Sequence, residues 1–291
     1  MHDFLHVAEI SNSFAMPMKR FVVIAFTLVV LLSGCMNQFN KVYKLTDQAY
    51  RYEYAKELYA RGKYQGAITL LEDLVVVLKG GEFAQESMFL LGMAEYYAKD
   101  YETAATYFRK YTTSYPRGTY AELAAFYAGE SRFQGTPEPR LDQTLTVQAI
   151  AAFQEYLDLF PDGKHRKEAH QRLIALQEKL VKKELLNAEL YYNLGTYFGN
   201  CTSGGNNYDA CIVTAQNAIK DYPYSDLREQ FSVLIMKSKF KLAESSVEAK
   251  KIERYRDAED ECYGFLNQYP DSEQRKTAEK YIEACKKFTK E

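Results

Sequence analysis

The sequence predicts an all-α fold, a solenoid of about five helical hairpins closed by a C-terminal capping helix. Two observations carry that expectation. Four aromatic-proline pairs punctuate the chain, Tyr115-Pro116, Phe160-Pro161, Tyr222-Pro223 and Tyr269-Pro270. Proline has no N–H to donate and clashes with the turn before it, so each pair marks where a helix stops. Residues counted back from each proline then repeat a pattern at offsets of 15, 12, 8 and 5. Those offsets fall on one face of a helix with 3.6 residues per turn.

The face reads Tyr101, Ala104, Phe108 and Tyr111 before Pro116, and Ala149, Phe153 and Tyr156 before Pro161. Before Pro223 it reads Tyr208, Cys211, Ala215 and Ala218, and before Pro270 Tyr255, Ala258, Cys262 and Phe265. A fifth unit lacks the proline but keeps Tyr64, Ala67, Leu71 and Leu74. Each of these helices follows another apolar-periodic segment, giving units near 48–83, 84–120, 121–164, 185–225 and 226–272. Residues 48–164 then hold N-terminal repeats 1–3, and 165–291 hold C-terminal repeats 4–5 with the cap. Residues 165–184 read as helix leading into the fourth unit. Two first helices carry a Leu-Gly pair, Leu91-Gly92 and Leu194-Gly195.

Three units carry insertions. Gly135-Thr136-Pro137-Glu138-Pro139 makes a stiff loop, whereas Asn200 to Asn207, with its Ser-Gly-Gly-Asn-Asn run, makes a flexible one. The Lys-rich first helix of the fifth unit is expected to extend to about Lys250. The last segment sets Ala278, Tyr281, Ile282, Cys285 and Phe288 on one face with Lys and Glu opposite. A polar-backed terminal helix is what closes the open end of a solenoid. The pattern resembles the tetratricopeptide repeat, a 34-residue helix-turn-helix unit with Leu-Gly, Ala, Phe and a closing Pro. That resemblance implies a right-handed superhelix.

The N-terminus carries an address. Lys19-Arg20 precede an apolar run from Phe21 to Leu32, the length of a secretory signal core and shorter than the ~20 residues that span a bilayer. Leu32-Ser33-Gly34-Cys35 resembles a bacterial lipobox, which makes Cys35 the expected acylated first residue of the mature chain. Residues 1–34 are then a leader: 1–15 an over-extended start, 16–34 the lipoprotein signal peptide, followed by a lipidated linker at 35–47. The charge of −2 is unchanged by cleavage, which removes Lys19, Arg20, Asp3 and Glu9. Such a balance argues against nucleic acid, which calls for a basic face.

An acylated cysteine followed by five such repeats resembles the BamD family of assembly lipoproteins. The specific elements are the lipobox, Tyr50-Arg51-Tyr52-Glu53-Tyr54-Ala55, Gly62-Lys63-Tyr64-Gln65-Gly66-Ala67-Ile68, and the run from Tyr101 to Tyr115-Pro116. The resemblance implies a non-catalytic scaffold of outer-membrane β-barrel assembly, lipid-anchored to the outer membrane and facing the periplasm. N-terminal repeats would receive unfolded barrel precursors, and C-terminal repeats would dock the periplasmic domains of a BamA-like barrel-forming subunit. Met36 after Cys35, in place of Asp, fits outer-membrane sorting by the rule of enteric-type lipoproteins. The alternative is another periplasmic repeat adaptor lipoprotein, serving cell-wall synthesis or secretion.

In such a stack the first helices line the concave face. Tyr52, Lys56, Tyr59, Phe89, Met93, Tyr96, Tyr97 and Arg132 are therefore the expected peptide-binding groove. Tyrosine offers contact area at little rotamer cost, Met adapts, and the cations suit a terminal carboxylate. Packing between helices is the competing role for each tyrosine. Catalytic and cofactor chemistry has no foothold in the sequence. His165 and His170 lack the spacing of a zinc pair, no Cys-x-x-Cys occurs, and no Gly-rich phosphate loop follows a strand. Neither a metal, a cofactor nor a small-molecule substrate is expected. Four cysteines remain after the leader and allow three pairings. Cys201–Cys211 with Cys262–Cys285 is the set weighed against buried free thiols.

Overall fold

The computed structural model describes residues 38–81, 83–197 and 206–289. The leader, Cys35, Cys201 and most of the Gly-rich insertion lie outside those residues. Among the described residues the chain is helical and contains no strand. Its principal helices are α1 (Gln48–Ala60), α2 (Tyr64–Val77), α3 (Ala84–Tyr97), α4 (Tyr101–Ser114), α5 (Ala121–Gln134) and α6 (Thr144–Leu159). They continue as α7 (Arg166–Leu194), α8 (Asn207–Asp221), α9 (Arg228–Glu244), α10 (Glu248–Gln268) and α11 (Arg275–Thr289). The chain divides into two compact units after Ala128, within α5.

In the first unit α1 packs on α2, α2 on α3 and α3 on α4, with α1 also touching α3. In the second, each helix from α6 to α11 packs on the next, and α7 also touches α9. Short connections force neighbouring helices to run antiparallel. The offset pattern is the reason they stack. Ala104, Phe108 and Tyr111 are fully buried, as are Ala149, Phe153 and Tyr156; Cys211, Ala215 and Ala218 follow suit. So do Ala258, Cys262 and Phe265, and Ala67, Leu71 and Leu74. Small residues in the row let the next helix approach, and large ones fill the space beside it.

The aromatic-proline ends share one geometry. Tyr115, Phe160, Tyr222 and Tyr269 cap their helices at φ between −126° and −134° and ψ between 62° and 68°. A following proline pushes its neighbour out of the helical region in this way. The next helix is caught in two manners. Tyr111 and Tyr156 accept a hydrogen bond at the hydroxyl from the Tyr120 and His165 N–H groups, at 3.2 and 3.1 Å. The two later repeats have Ala218 and Phe265 in place of those tyrosines. There Ser225 and Ser272 accept from Leu227 and Gln274 N–H, while Arg228 and Arg275 donate to the Pro223 and Pro270 carbonyls.

Two details differ from the sequence reading. Leu91-Gly92 sits inside α3, where a Cβ on Gly92 would lie 2.8 Å from the Phe108 ring. Leu194-Gly195 instead ends α7, with Gly195 at φ +52° against the Tyr208 hydroxyl, a glycine C-cap. The counterpart of Gly92 is Gly129 in α5, whose Cβ would lie 2.8 Å from Phe153. The extra length of the fifth unit belongs to its second helix: α9 stops at Glu244, where Ser245 returns its hydroxyl to the Lys241 carbonyl, and α10 runs 21 residues. The loop after α5 is held onto α7, with Lys179 donating to Thr136 Oγ1 at 2.5 Å and Lys183 to the Leu141 carbonyl at 3.1 Å.

Candidate functional site

Two helix-connecting turns build an aromatic surface on the first unit. After α1, Gly62 N–H returns to the Tyr59 carbonyl and Lys63 N–H to that of Leu58. After α3, Lys99 and Asp100 do the same to Tyr96 and Glu95. Both turns need a left-handed residue, Gly62 at φ +71° and Lys99 at φ +67°. Identical turns put identical positions side by side. Tyr59 and Tyr96 therefore end the first helices of their repeats, and Tyr64 and Tyr101 begin the second ones.

Their rings form a continuous cluster. Tyr64 stacks on Tyr97 with centroids 5.4 Å apart, and Tyr59 meets the edges of Tyr64 and Tyr97 at 5.7 and 6.0 Å. Tyr96 continues it, touching Tyr97 at 5.6 Å, Tyr101 at 5.6 Å and Tyr127 of α5 at 5.3 Å. Tyr127 in turn reaches Phe108 in the core at 5.5 Å. Each aromatic pair adds roughly 0.5–1.5 kcal/mol beyond its burial, so the rings hold one another in place. Tyr97 keeps 45% of its surface exposed. A shallow cleft of about 340 Å³ opens beside Tyr64, between Gly62, Gly66 and Ala98.

Glu95 is buried in α3. Burial, with Asp100 and Glu72 nearby, pushes its carboxyl up to about 7. Burial likewise lifts the Tyr59 hydroxyl to about 12. Ring faces and hydroxyls are what the cluster presents.

Among the residues expected to line a groove, Tyr59, Tyr96 and Tyr97 are brought together, with Tyr97 the most exposed. Lys56 is half-buried, paired with Glu53 at 2.7 Å and poised over the Tyr52 ring at 4.7 Å. Tyr52 itself is fully buried and stacked on Phe83 at 4.8 Å. Phe89 is buried against Tyr120, 4.5 Å away, and Met93 is buried as well. These three fill helix interfaces and offer little surface to a ligand. Arg132 belongs to the second unit, where it donates to Gln148 at 3.0 Å. Tyr64, Tyr101 and Tyr127 complete the cluster. The first two were visible in the sequence as repeat-face residues, and their shared position at the start of second helices is the signal that pairs them with Tyr59 and Tyr96.

Of the cysteines, Cys211, Cys262 and Cys285 are free and buried. Cys262 packs with Met236 and Phe265, and Cys285 with Phe240 and Tyr255, each in the small-residue slot of a helix interface. Burial pushes both thiols up to about 12, which disfavours the thiolate. Cys211 is unbonded too, and the Cys201–Cys211 pairing has its other half outside the described residues. Among the described residues no helix is long and apolar enough to cross a membrane.

Consecutively paired helices, a repeated core row and a tyrosine surface define an all-α helical-repeat protein. The chain belongs to the YfiO family, described as outer membrane lipoproteins, whose model matches residues 45–202. It is similar to the outer membrane protein assembly factor BamD of Caulobacter vibrioides, 22% identical over 178 residues that span 60% of this chain and 58% of that protein. The chain thus covers a little under three-fifths of the length of that curated relative. Among solved structures it is similar to the TPR2AB-domain:pHSP90-complex of yeast Sti1, at 10% identity and a TM-score of 0.38, over 82% of this chain and 98% of that one. That score is too low to add to the fold argument.

Proposed function

We propose that this protein is a lipid-anchored, non-catalytic assembly factor for outer-membrane β-barrel proteins. In this reading Cys35 carries the acyl chains and the protein faces the periplasm. The first unit holds unfolded barrel precursors, and the C-terminal repeats dock the barrel-forming subunit. Family membership and the name of the Caulobacter relative support the general role. The observation that carries the precursor site is the tyrosine cluster around Tyr97, whose partly exposed rings match the aromatic-rich, extended segments of a barrel precursor. Lys56, one helical turn before Tyr59, is the nearest cation named in the groove and suits a terminal carboxylate.

Fluorescence titration of a labelled, aromatic-ended precursor peptide tests the site. Replacing Tyr59 and Tyr97 together by Ala should weaken binding about tenfold, a loss of ~1.4 kcal/mol, with helicity retained. Equal affinity would remove the site. Affinity purification from detergent-solubilised membranes tests the role: recovery of the barrel-forming subunit is expected, and recovery of cell-wall synthases without it would overturn the reading.

A further inference from the structure

Most of the segment expected to be a linker is folded onto the first repeat. Residues 38–43 form a short helix. Val42 is buried, and the Phe39 ring lies 3.6 Å from where a Cβ on Gly66 would sit, next to Leu58. Phe39 also stacks on Tyr43 at 6.2 Å, and the Arg51 guanidinium lies over Tyr43 at 5.6 Å. The Asp47 carboxylate then caps α1 by accepting from Tyr50 N–H at 3.0 Å.

The same segment also keeps exposed surface. Tyr43, Leu45 and Tyr50 keep 45%, 42% and 50% of their surfaces, and Lys41 and Lys44 are exposed beside them. From Gln38 to Cys35 is three residues, which reach at most about 11 Å when fully extended. An acyl group on Cys35 has its glycerol at headgroup level, in an interfacial layer only about 5–7 Å thick. A folded segment only three residues from the acylated cysteine is held close to that surface. Tyrosine is enriched at membrane interfaces, and lysine is drawn to anionic headgroups.

We propose that residues 41–50 form a bilayer-contacting edge, in which Tyr43, Leu45 and Tyr50 enter the phospholipid headgroup layer and Lys41 and Lys44 meet its phosphates. The partner is a lipid surface. The inference rests on acylation of Cys35, and it adds that the anchored protein has a fixed membrane-facing edge and does not swing on a loose leash.

The chain contains no Trp, so a Tyr43→Trp substitution gives a single reporter in the full acylated protein. Reconstituted into phosphatidylethanolamine/phosphatidylglycerol vesicles, it should be quenched by brominated phospholipid and lose about half of its iodide quenching, as an interfacial indole does. Leu45→Trp, in the turn before α1, is the second probe and should behave alike. Two well-folded reporters open to iodide and untouched by brominated lipid, on a protein whose intact mass shows the acyl chains, would overturn the edge and leave the anchor standing. An intact mass without acyl chains would overturn both.

Discussion

Glu95 is a costly side chain to keep charged. Its carboxyl titrates near 7 in the fold, against about 4.5 when exposed, because burial and two neighbouring carboxylates oppose ionisation. The folded state therefore holds a proton that the unfolded state has lost between those two values. Stability falls as pH rises through that window. Glu95→Gln should abolish the slope and stabilise the protein by about 1–2 kcal/mol at pH 8, with little change at pH 4. Urea midpoints at the two pH values measure it. A wild-type midpoint that stays flat across the window would show that Glu95 ionises freely. Gly92 makes an opposite kind of demand, for space. A methyl there meets the buried Phe108 ring at 2.8 Å, whereas one at Gly264 meets nothing within 4 Å. Gly92→Ala should cost about 1–2 kcal/mol through overpacking, and Gly264→Ala should gain up to about 1 kcal/mol from helix propensity. Thermal unfolding of the pair reads both signs. Gly129 has the same contact with Phe153 but was not legible beforehand. The long insertion between α5 and α6 hides its register relative to Phe153, and it is preceded by Ala128 where Gly92 has Leu91.

At the scale of elements, second helices were easy to read and first helices were not. Helices α4, α6, α8 and α10 bury one narrow row, so their offsets stood out against polar neighbours. Helix α3 buries nine of its 14 residues, from Ala84 to Glu95, because it is packed by α2 on one side and α4 on the other. A helix covered on several sides has no single apolar face to locate. That is why Phe89 and Met93 looked available in the sequence and are enclosed in the fold, and why Tyr52 in α1 followed them. The cysteine slots of α8 and α10 were read as buried repeat positions, and Cys211 and Cys262 are buried there. The turns that gather the tyrosines carry a testable flaw. Gly62 takes the left-handed conformation freely, but Lys99 holds it at the equivalent place with a Cβ attached. Left-handed backbone costs a non-glycine residue roughly 1–2 kcal/mol. Lys99→Gly should therefore raise stability by about 1 kcal/mol after the added chain entropy of glycine, with precursor binding intact, because Tyr96, Tyr97 and Tyr101 keep their places. A lower denaturation midpoint would mean that the turn draws more from the lysine side chain than from its backbone.

At the scale of the chain, the decisive property is that, within each unit, contacts run from each helix to the helices one or two places along. Stability in such an array is close to a sum of local terms, so damage stays near its origin. The second unit offers a place to see this. Phe265 is fully buried with Met236, Cys262, Ala278 and Ile282, where α9, α10 and α11 meet. A separate cluster around Val181, Leu185, Cys211 and Phe231 joins α7, α8 and α9. The first unit has its own core of Leu71, Leu74, Leu91 and Phe108. Phe265→Ala removes a ring worth about 3–5 kcal/mol. Hydrogen exchange followed by mass spectrometry should show protection lost in α10 and α11, reduced in α9, and unchanged from α1 to α4. A uniform loss along the chain would mean that the repeats unfold as one cooperative block. The same experiment bears on the division of labour proposed above. If the lesion abolishes recovery of the barrel-forming subunit but leaves the affinity for a precursor peptide within about twofold, as independent local units require, the two binding roles reside in separately folding parts of one chain.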